Sequence, residues 1–400
     1  MRDMRKASGM RLLFVSHLFK NPLEHSKLPH LADLVRELSK DVDLEVVAPV
    51  PWAPPFIGPA RWRRLAQIPR DHRYGKVRVR YPRHFVLPGR LAYERVGRSF
   101  LRTLRKTLAG ETYDLVWAHY AYPDGWAAVE LARERGVPSI VTVRGEDVRT
   151  DVEDPRVRRL VEQALREASV VTSPHPETTE LARALGRKDV VELHNGVDVA
   201  RFSSGDGAKI RGELGLADEF VVTFVGHLVA FKDPSTFIRA AALIPETEQV
   251  AFLVVGSEGR GKEQTDLRGL AARLGVSSRV KFLGDREDVP DILAASNVFV
   301  ALSPTENIWS NTLLEAMAAR VACIVTRVGT TERFLHHGKD AWLIPPQDPR
   351  ALADAIVGLK TDPGAREGMV RGAEALVTAE FDLRAIAPRA LALCRSLAAR

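Results

Sequence analysis

Short apolar runs alternate with segments of helical periodicity along almost the whole chain, and that alternation leaves few folds open. Residues 11–16 (RLLFVS) form one such run, residues 30–40 have a helical period, and residues 44–49 form the next run. Strand–helix–strand order of this kind implies parallel sheets joined by right-handed crossovers. It continues through strands at 115–119, 139–143 and 170–173 and helices at 91–108, 125–135, 155–168 and 178–185. Residues 50–90, rich in Pro and Arg, read as a long excursion from the pattern. Near Asn195 the alternation pauses, and residues 203–207 (SSGDG) are the most linker-like stretch in the chain. A second series then runs from Phe220 to a helix at 349–359. The expected architecture is two α/β domains of similar size, their parallel sheets facing across a cleft, with ligands beyond the carboxyl ends of the strands. The expected divisions are 1–192, 193–375 and a last helical segment, 376–400, that packs back on the first domain.

Length and composition agree with two independent cores: 400 residues, 45% apolar. Cys323 and Cys394 both lie in apolar segments, which suits neither a disulfide framework nor a zinc site and fits a reducing cytosol. The basic start, MRDMRKASGM, is followed by no apolar stretch of signal-peptide length, and no run of about 18 apolar residues is present. A cytoplasmic protein is expected. The net charge of +7 is uneven, with fifteen Lys or Arg between Arg61 and Lys106 against Asp71 and Glu94. One reading is a solvated Arg-rich surface. Another is peripheral attachment to anionic lipid at the inner face of a membrane, with Trp52, Phe56, Trp62, Tyr81 and Phe85 as interfacial anchors. No helix-turn-helix, zinc or RNP-type pattern accompanies the charge, so nucleic acid is not an expected partner.

Residues 301–323, ALSPTENIWSNTLLEAMAARVAC, read as a strand end, a polar loop, a helix from about Thr312 and another strand. Amides at a helix start favour phosphate, and Glu306 and Glu315 could accept hydrogen bonds from sugar and ribose hydroxyls. Thr312-x-x-Glu315 equally fits a capping box. FVGHLVAFKD, residues 224–233, follows a strand: Gly226 permits close approach of backbone to a ligand, and Lys232 could meet a diphosphate. An ordinary strand–turn–helix with a surface lysine fits as well. VVGSEG, residues 254–259, lacks the spacing of a dinucleotide fingerprint. In AHYAYPDG, residues 118–125, His119 ends a strand and could bind hydroxyls, exchange a proton, or simply pack under the loop. VRGEDV, residues 143–148, offers both charge signs at a similar strand end, in Arg144 and Asp147. The first strand–helix loop, residues 16–22, contains no glycine, and the only Asp-x-Asp, at 41–43, precedes a strand and is not read as a metal site.

Taken in order, LLFVSHLF, VVAPVPW, AHYAYPDG, VTVRGEDV, HNGVD, FVGHLVAFKD, VVGSEG, VKFLGD and ENIWSNTLLEAMA resemble the family 4 glycosyltransferases of GT-B fold, a retaining group with two Rossmann-like domains. The resemblance covers nearly the whole chain, and AHYAYPDG and VVAPVPW look most like members that build cell-surface polysaccharides. It implies hexosyl transfer from a nucleotide-diphosphate sugar to a saccharide or lipid-linked acceptor, without a metal or other cofactor and without an enzymic nucleophile. It gives Glu306 to the donor sugar, Glu315 to the ribose, Lys232 to the diphosphate, His119 to the transferring sugar and Arg286 to the region of the base. Gly226, His227, Asn307, Asn311 and Thr312 join the donor side, and Arg144 and Asp147 the acceptor side.

The chain departs from the family pattern at several positions. Eight residues, not seven, separate Glu306 from Glu315, so that Asn307 holds the expected place of the first carboxylate. His227 stands for an arginine, Arg144 for a histidine, Arg320 for a glycine and Gly329-Thr330 for a Gly-Gly pair. These leave two other readings on the same fold: a non-catalytic nucleotide-sugar binder, and a sugar-nucleotide epimerase or phosphorylase.

Overall fold

The computed structural model describes residues 9–23, 28–54, 56–57, 60–257, 266–305 and 310–399. It divides into two compact units, one of residues 1–196 with 383–400, the other of residues 197–382.

The first unit contains β1 (Arg11–Val15), β2 (Asp43–Val47), β3 (Val50–Trp52), β4 (Asp71–Tyr74), β5 (Val77–Arg80), β6 (Arg83–Phe85), β7 (Leu115–His119), β8 (Ser139–Thr142), β9 (Val170–Ser173) and β10 (Val190–Glu192). Eight of these form one sheet in the order β10-β9-β8-β7-β1-β2-β5-β4, parallel except for the β4–β5 hairpin. Chain order reverses between β1 and β7, the position where open parallel sheets bind ligands. Leu12 to Val15 and Leu115 to Ala118 are wholly buried, as strands covered on both faces must be.

The stretch read as an excursion is part of this unit's sheet. β5 pairs with β2 and carries β4 on the edge, while β3 and β6 form a separate two-stranded ribbon. The basic cluster is not one positive face either. Arg80 is buried against Glu45, Arg83 donates to the carbonyls of Tyr81, Ala66 and Ile68, and Arg78, Arg90 and Arg105 pair with Asp71, Asp151 and Glu134. Of the expected anchors, Tyr81 is a core residue whose hydroxyl donates to the Lys20 carbonyl, and Trp62 packs partly into the core. Phe56 stays 86% exposed, and Trp52 and Phe85 lie side by side across the ribbon, 41% and 47% exposed.

The last helix, Leu383–Ala398, belongs to the first unit. Its apolar stripe, Leu383, Ile386, Ala387, Ala390, Leu391, Cys394 and Leu397, repeats at helical spacing and is buried in that core. The expected boundary at 376 is shifted: Val377 and Phe381 pack in the second unit's core, on and just after a helix, Pro363–Glu380, that the apolar pattern did not reveal. Cys323 and Cys394 are buried free thiols.

The second unit holds β11 (Phe220–Val225), β12 (Val250–Val255), β13 (Val280–Gly284), β14 (Val298–Ala301), β15 (Ala322–Thr326) and β16 (Trp342–Ile344). All are parallel, in the order β13-β12-β11-β14-β15-β16, so chain order reverses between β11 and β14. The supposed linker at 203–207 is packed structure. Asp206 caps the helix Gly207–Leu214 by accepting from the Lys209 amide. A Cβ on Gly205 or Gly207 would lie 2.2 or 2.4 Å from the carbonyl oxygens of Pro290 and Ala294. No helix among the described residues is long and apolar enough to cross a membrane.

Candidate active site

In the second unit the strand ends on one side of the reversal point are laced by backbone bonds. The Gly226 amide donates to the Val255 carbonyl at 3.0 Å, and the Gly256 amide to the Gly284 carbonyl at 2.7 Å. The close approach that needs a glycine is at Gly256, whose φ is +135° and whose Cβ would stand 1.9 Å from the Gly226 oxygen. Beyond β11 the chain makes a short turn, Ala230–Lys232, and enters the helix Pro234–Leu243, capped by Asp233, which accepts from the amide and hydroxyl of Thr236. Ser303, after β14, donates its hydroxyl to the Phe231 carbonyl at 2.7 Å, and the Thr326 hydroxyl, at the end of β15, donates to the Ser303 carbonyl at 2.7 Å. These bonds fix the turn that carries Lys232.

Lys232 is half-buried and lines a recess of about 410 Å³ with Ser303, Ser310, Thr312 and Thr326. The helix Asn311–Ala318 begins at this recess. An ammonium, several hydroxyls and the positive end of a helix suit an anionic, oxygen-rich group, and no carboxylate lines the recess among the described residues.

The helix start differs from the expected one. Ser310 is the cap, its hydroxyl accepting from the Leu313 amide at 3.3 Å, so the capping box Thr312-x-x-Glu315 is not made. Glu315 is half-buried one turn further along. Glu306 and Asn307 lie outside the described residues. His227 is exposed and meets Ser257 Oγ at 2.9 Å, away from the recess lining. Arg286 is held by two carboxylates, Asp288 at 2.6 Å and Glu213 at 2.7 Å. The recess thus unites Lys232 with the start of the helix but not with His227 or Arg286.

In the first unit a recess of about 310 Å³ opens beyond β7 and β8, lined by His30, His119, Thr142, Arg144, His194 and Asn195 among others. His119 is 2% exposed, its ring stacked against Phe14 and Trp117, and neither ring nitrogen meets a hydrogen-bond partner among the described residues. Arg144 donates to Asn195 Oδ1 at 2.9 Å and meets His30 Nε2. Asp147, placed on the acceptor side from the sequence, is fully buried and accepts from the amides of Ala121, Arg144 and Gly145. It ties the loops after β7 and β8 together and positions Arg144; this corrects its assignment as a ligand contact.

A second pair of loops is joined at the reversal point. Asp124, fully buried, accepts from the His17 amide at 2.6 Å and meets His17 Nδ1 at 2.5 Å. The sequence signal lies in YPDG and in the first loop, where His17 rather than a glycine makes the contact. His30 and Asn195 carry no such signal, because they look like an ordinary helix residue and a turn.

Burial, with the positive charge of Arg144 nearby, holds His30 and His119 well below the usual histidine range and brings His175 to about 3. Burial brings His84 to about 3 as well. Each ring is neutral when folded and takes up a proton only on unfolding. Stability is therefore fully present above about pH 6.5 and declines as pH falls, by up to about 1.4 kcal/mol per pH unit for each histidine. Melting temperatures measured from pH 7.5 to 5 should fall on acidification. His84→Phe, which keeps the edge-on contact with Phe100, should make the fall shallower. An unchanged slope would mean that His84 titrates alike in both states.

Two parallel α/β units with ligand-suited recesses beyond their strand ends define the class: this is the GT-B fold of glycosyltransferases. Residues 29–201 match the family described as Glycosyltransferase Family 4, and residues 219–362 that described as Glycosyl transferases group 1. The chain is 28% identical over 279 residues to the N-acetyl-alpha-D-glucosaminyl L-malate synthase of Bacillus anthracis, covering 68% of this chain and 71% of that one. It is 27% identical over 357 residues to the putative teichuronic acid biosynthesis glycosyltransferase TuaC of Bacillus subtilis, covering 87% and 88%. The crystal structure of Anabaena HepE in complex with UDP and glucose superposes with a TM-score of 0.75 at 20% identity, over 97% of this chain and 100% of that one. The chain belongs to the family 4 glycosyltransferases.

Proposed function

We propose that this glycosyltransferase moves a sugar, with retention and without a metal ion, from a nucleotide diphosphate to a saccharide or lipid-linked acceptor in cell-surface polysaccharide or glycoconjugate synthesis. The observation that carries the reading is Lys232 and the start of the helix Asn311–Ala318 on one recess at the strand-order reversal. An ammonium and a helix terminus offer the departing diphosphate the positive charge that a divalent ion would otherwise supply. His119 is assigned to the transferring sugar, and Glu306 and Glu315 to the sugar and ribose of the donor. The cell-surface role draws on the likeness to TuaC, and the donor class on the UDP bound in HepE.

Thermal shifts against nucleoside diphosphates and their sugars test the donor class. A ligand at 100 times its Kd adds about 2.7 kcal/mol to stability. The anomeric configuration of the product, read by NMR, tests retention, and activity in excess chelator tests metal independence. No stabilisation by any nucleotide, an inverted product or loss of activity to chelator would each remove the corresponding part.

The exposed Trp52–Phe85 pair, with exposed Arg98, Arg102 and Lys106 in the same basic segment, supports peripheral contact with an anionic bilayer. Retention on anionic vesicles should fall as salt is raised, and fall further in the Trp52→Ser, Phe85→Ser double variant. Equal retention on neutral vesicles would remove the basis for it.

A further inference from the structure

The guanidinium of Arg144 stands without an ion pair among the described residues. Its side chain touches Asn195 and His30, both uncharged, and makes no ion pair among the described residues. A carboxylate whose charge reaches it, Asp147, is turned to three backbone amides. Beside it stands His119, 2% exposed, with neither ring nitrogen hydrogen-bonded among the described residues, and both side chains line the same recess. Arg144 is half-buried and His119 buried; cations drawn out of water are ordinarily paired, and buried polar nitrogens ordinarily bonded. Here a cation without an ion pair and two ring nitrogens without a hydrogen bond among the described residues face one space of about 310 Å³. An oxyanion would satisfy both: its charge answers the guanidinium, and its oxygens accept from it and from a protonated nitrogen of His119.

We infer that this recess binds an oxyanion, a carboxylate or a phosphate, carried by the acceptor, so that the acceptor is an acidic sugar or a sugar phosphate rather than a neutral one. The inference rests on the transferase reading for the word acceptor, but not for the binding itself. Arg144 stands where the family resemblance leads one to expect a histidine. A histidine buried at this place would be neutral and would select a hydroxyl.

The test uses the full-length protein and inorganic phosphate as probe, with binding followed by calorimetry and by thermal shift. Saturating UDP is present to occupy the donor recess. Phosphate should bind wild type and Lys232→Ala alike. Binding should weaken about 10- to 100-fold in Arg144→Gln, as expected on loss of a charged hydrogen-bonding partner, and be partly restored in Arg144→Lys. Without ligand, Arg144→Gln should melt close to wild type, because Asp147 keeps its three backbone amides and no ion pair is broken. Glucuronate and glucose 6-phosphate should displace the phosphate, and glucose should not.

Phosphate binding that survives Arg144→Gln, or that is absent from wild type, overturns the site. Binding lost in Lys232→Ala or to UDP places the anion in the donor recess and also overturns it. Phosphate held at Arg144 but displaced by no sugar acid or sugar phosphate marks a free-anion site and overturns the acceptor assignment. None of these outcomes depends on sugar transfer, so failure of the transferase reading would show separately, in the donor experiments.

Discussion

Lys232→Ala is expected to lower kcat by about 10²–10³, equivalent to about 3–4 kcal/mol of transition-state stabilisation. Negative charge gathers on the diphosphate as the bond to the sugar breaks. The Lys232 ammonium lines the recess at which the helix Asn311–Ala318 starts. A fixed positive charge there acts most strongly once the leaving group has separated, so kcat should fall more than donor affinity. Folding should be unaffected: Lys232 is half-buried, while the neighbouring helix is capped by Asp233, which the substitution leaves in place. Lys232→Met keeps the aliphatic stem without the charge and should behave like the alanine variant. Wild-type turnover in either variant would remove Lys232 from the diphosphate.

The second large effect is on stability. Gly256→Ala should cost about 3 kcal/mol or more, because it adds a side chain in a left-handed backbone region and against backbone that cannot rotate away. The new methyl would stand 1.9 Å from the Gly226 oxygen, at the point where the ends of β11 and β12 approach. For a unit of this size that corresponds to a melting temperature lower by about 6–12 °C. Activity should fall with it, since the displaced backbone leads into the turn bearing Lys232. Gly212→Ala is the control: it lies in the helix Gly207–Leu214 with open space around its Cβ, and should stabilise by about 0.5–1 kcal/mol. Equal melting of the two variants would mean that Gly226 and Gly256 can part without loss.

Much of the strand pattern was legible, for a simple reason. A parallel strand covered on both faces is written as an unbroken apolar run, and β1, β11 and β12 are such runs. The β4–β5 hairpin was not, because its sequence, DHRY and VRVR, is charged. It enters the sheet through Val77 and Val79, and through Arg80, whose charge is answered by Glu45 on the neighbouring β2. A buried ion pair between distant segments cannot be seen in either segment alone. The cap of the helix Asn311–Ala318 shows the same limit locally. Ser310 and Thr312 can both cap, and the extended conformation of Ser310, φ −66° and ψ 136°, decides between them.

The sequence by itself determined the α/β class, the two-series order, His119 at a strand end and Lys232 just before the helix that follows one, because periodicity and strand termination are local properties of a chain. Which strands are neighbours is not local. His17 meets Asp124 across 107 residues, and Arg144 meets His30 across 114 and Asn195 across 51. Those meetings exist because β7 lies between β1 and β8 in the folded sheet. Only that adjacency turned Arg144 from a charged residue in a loop into a half-buried cation facing a recess that no carboxylate lines among the described residues.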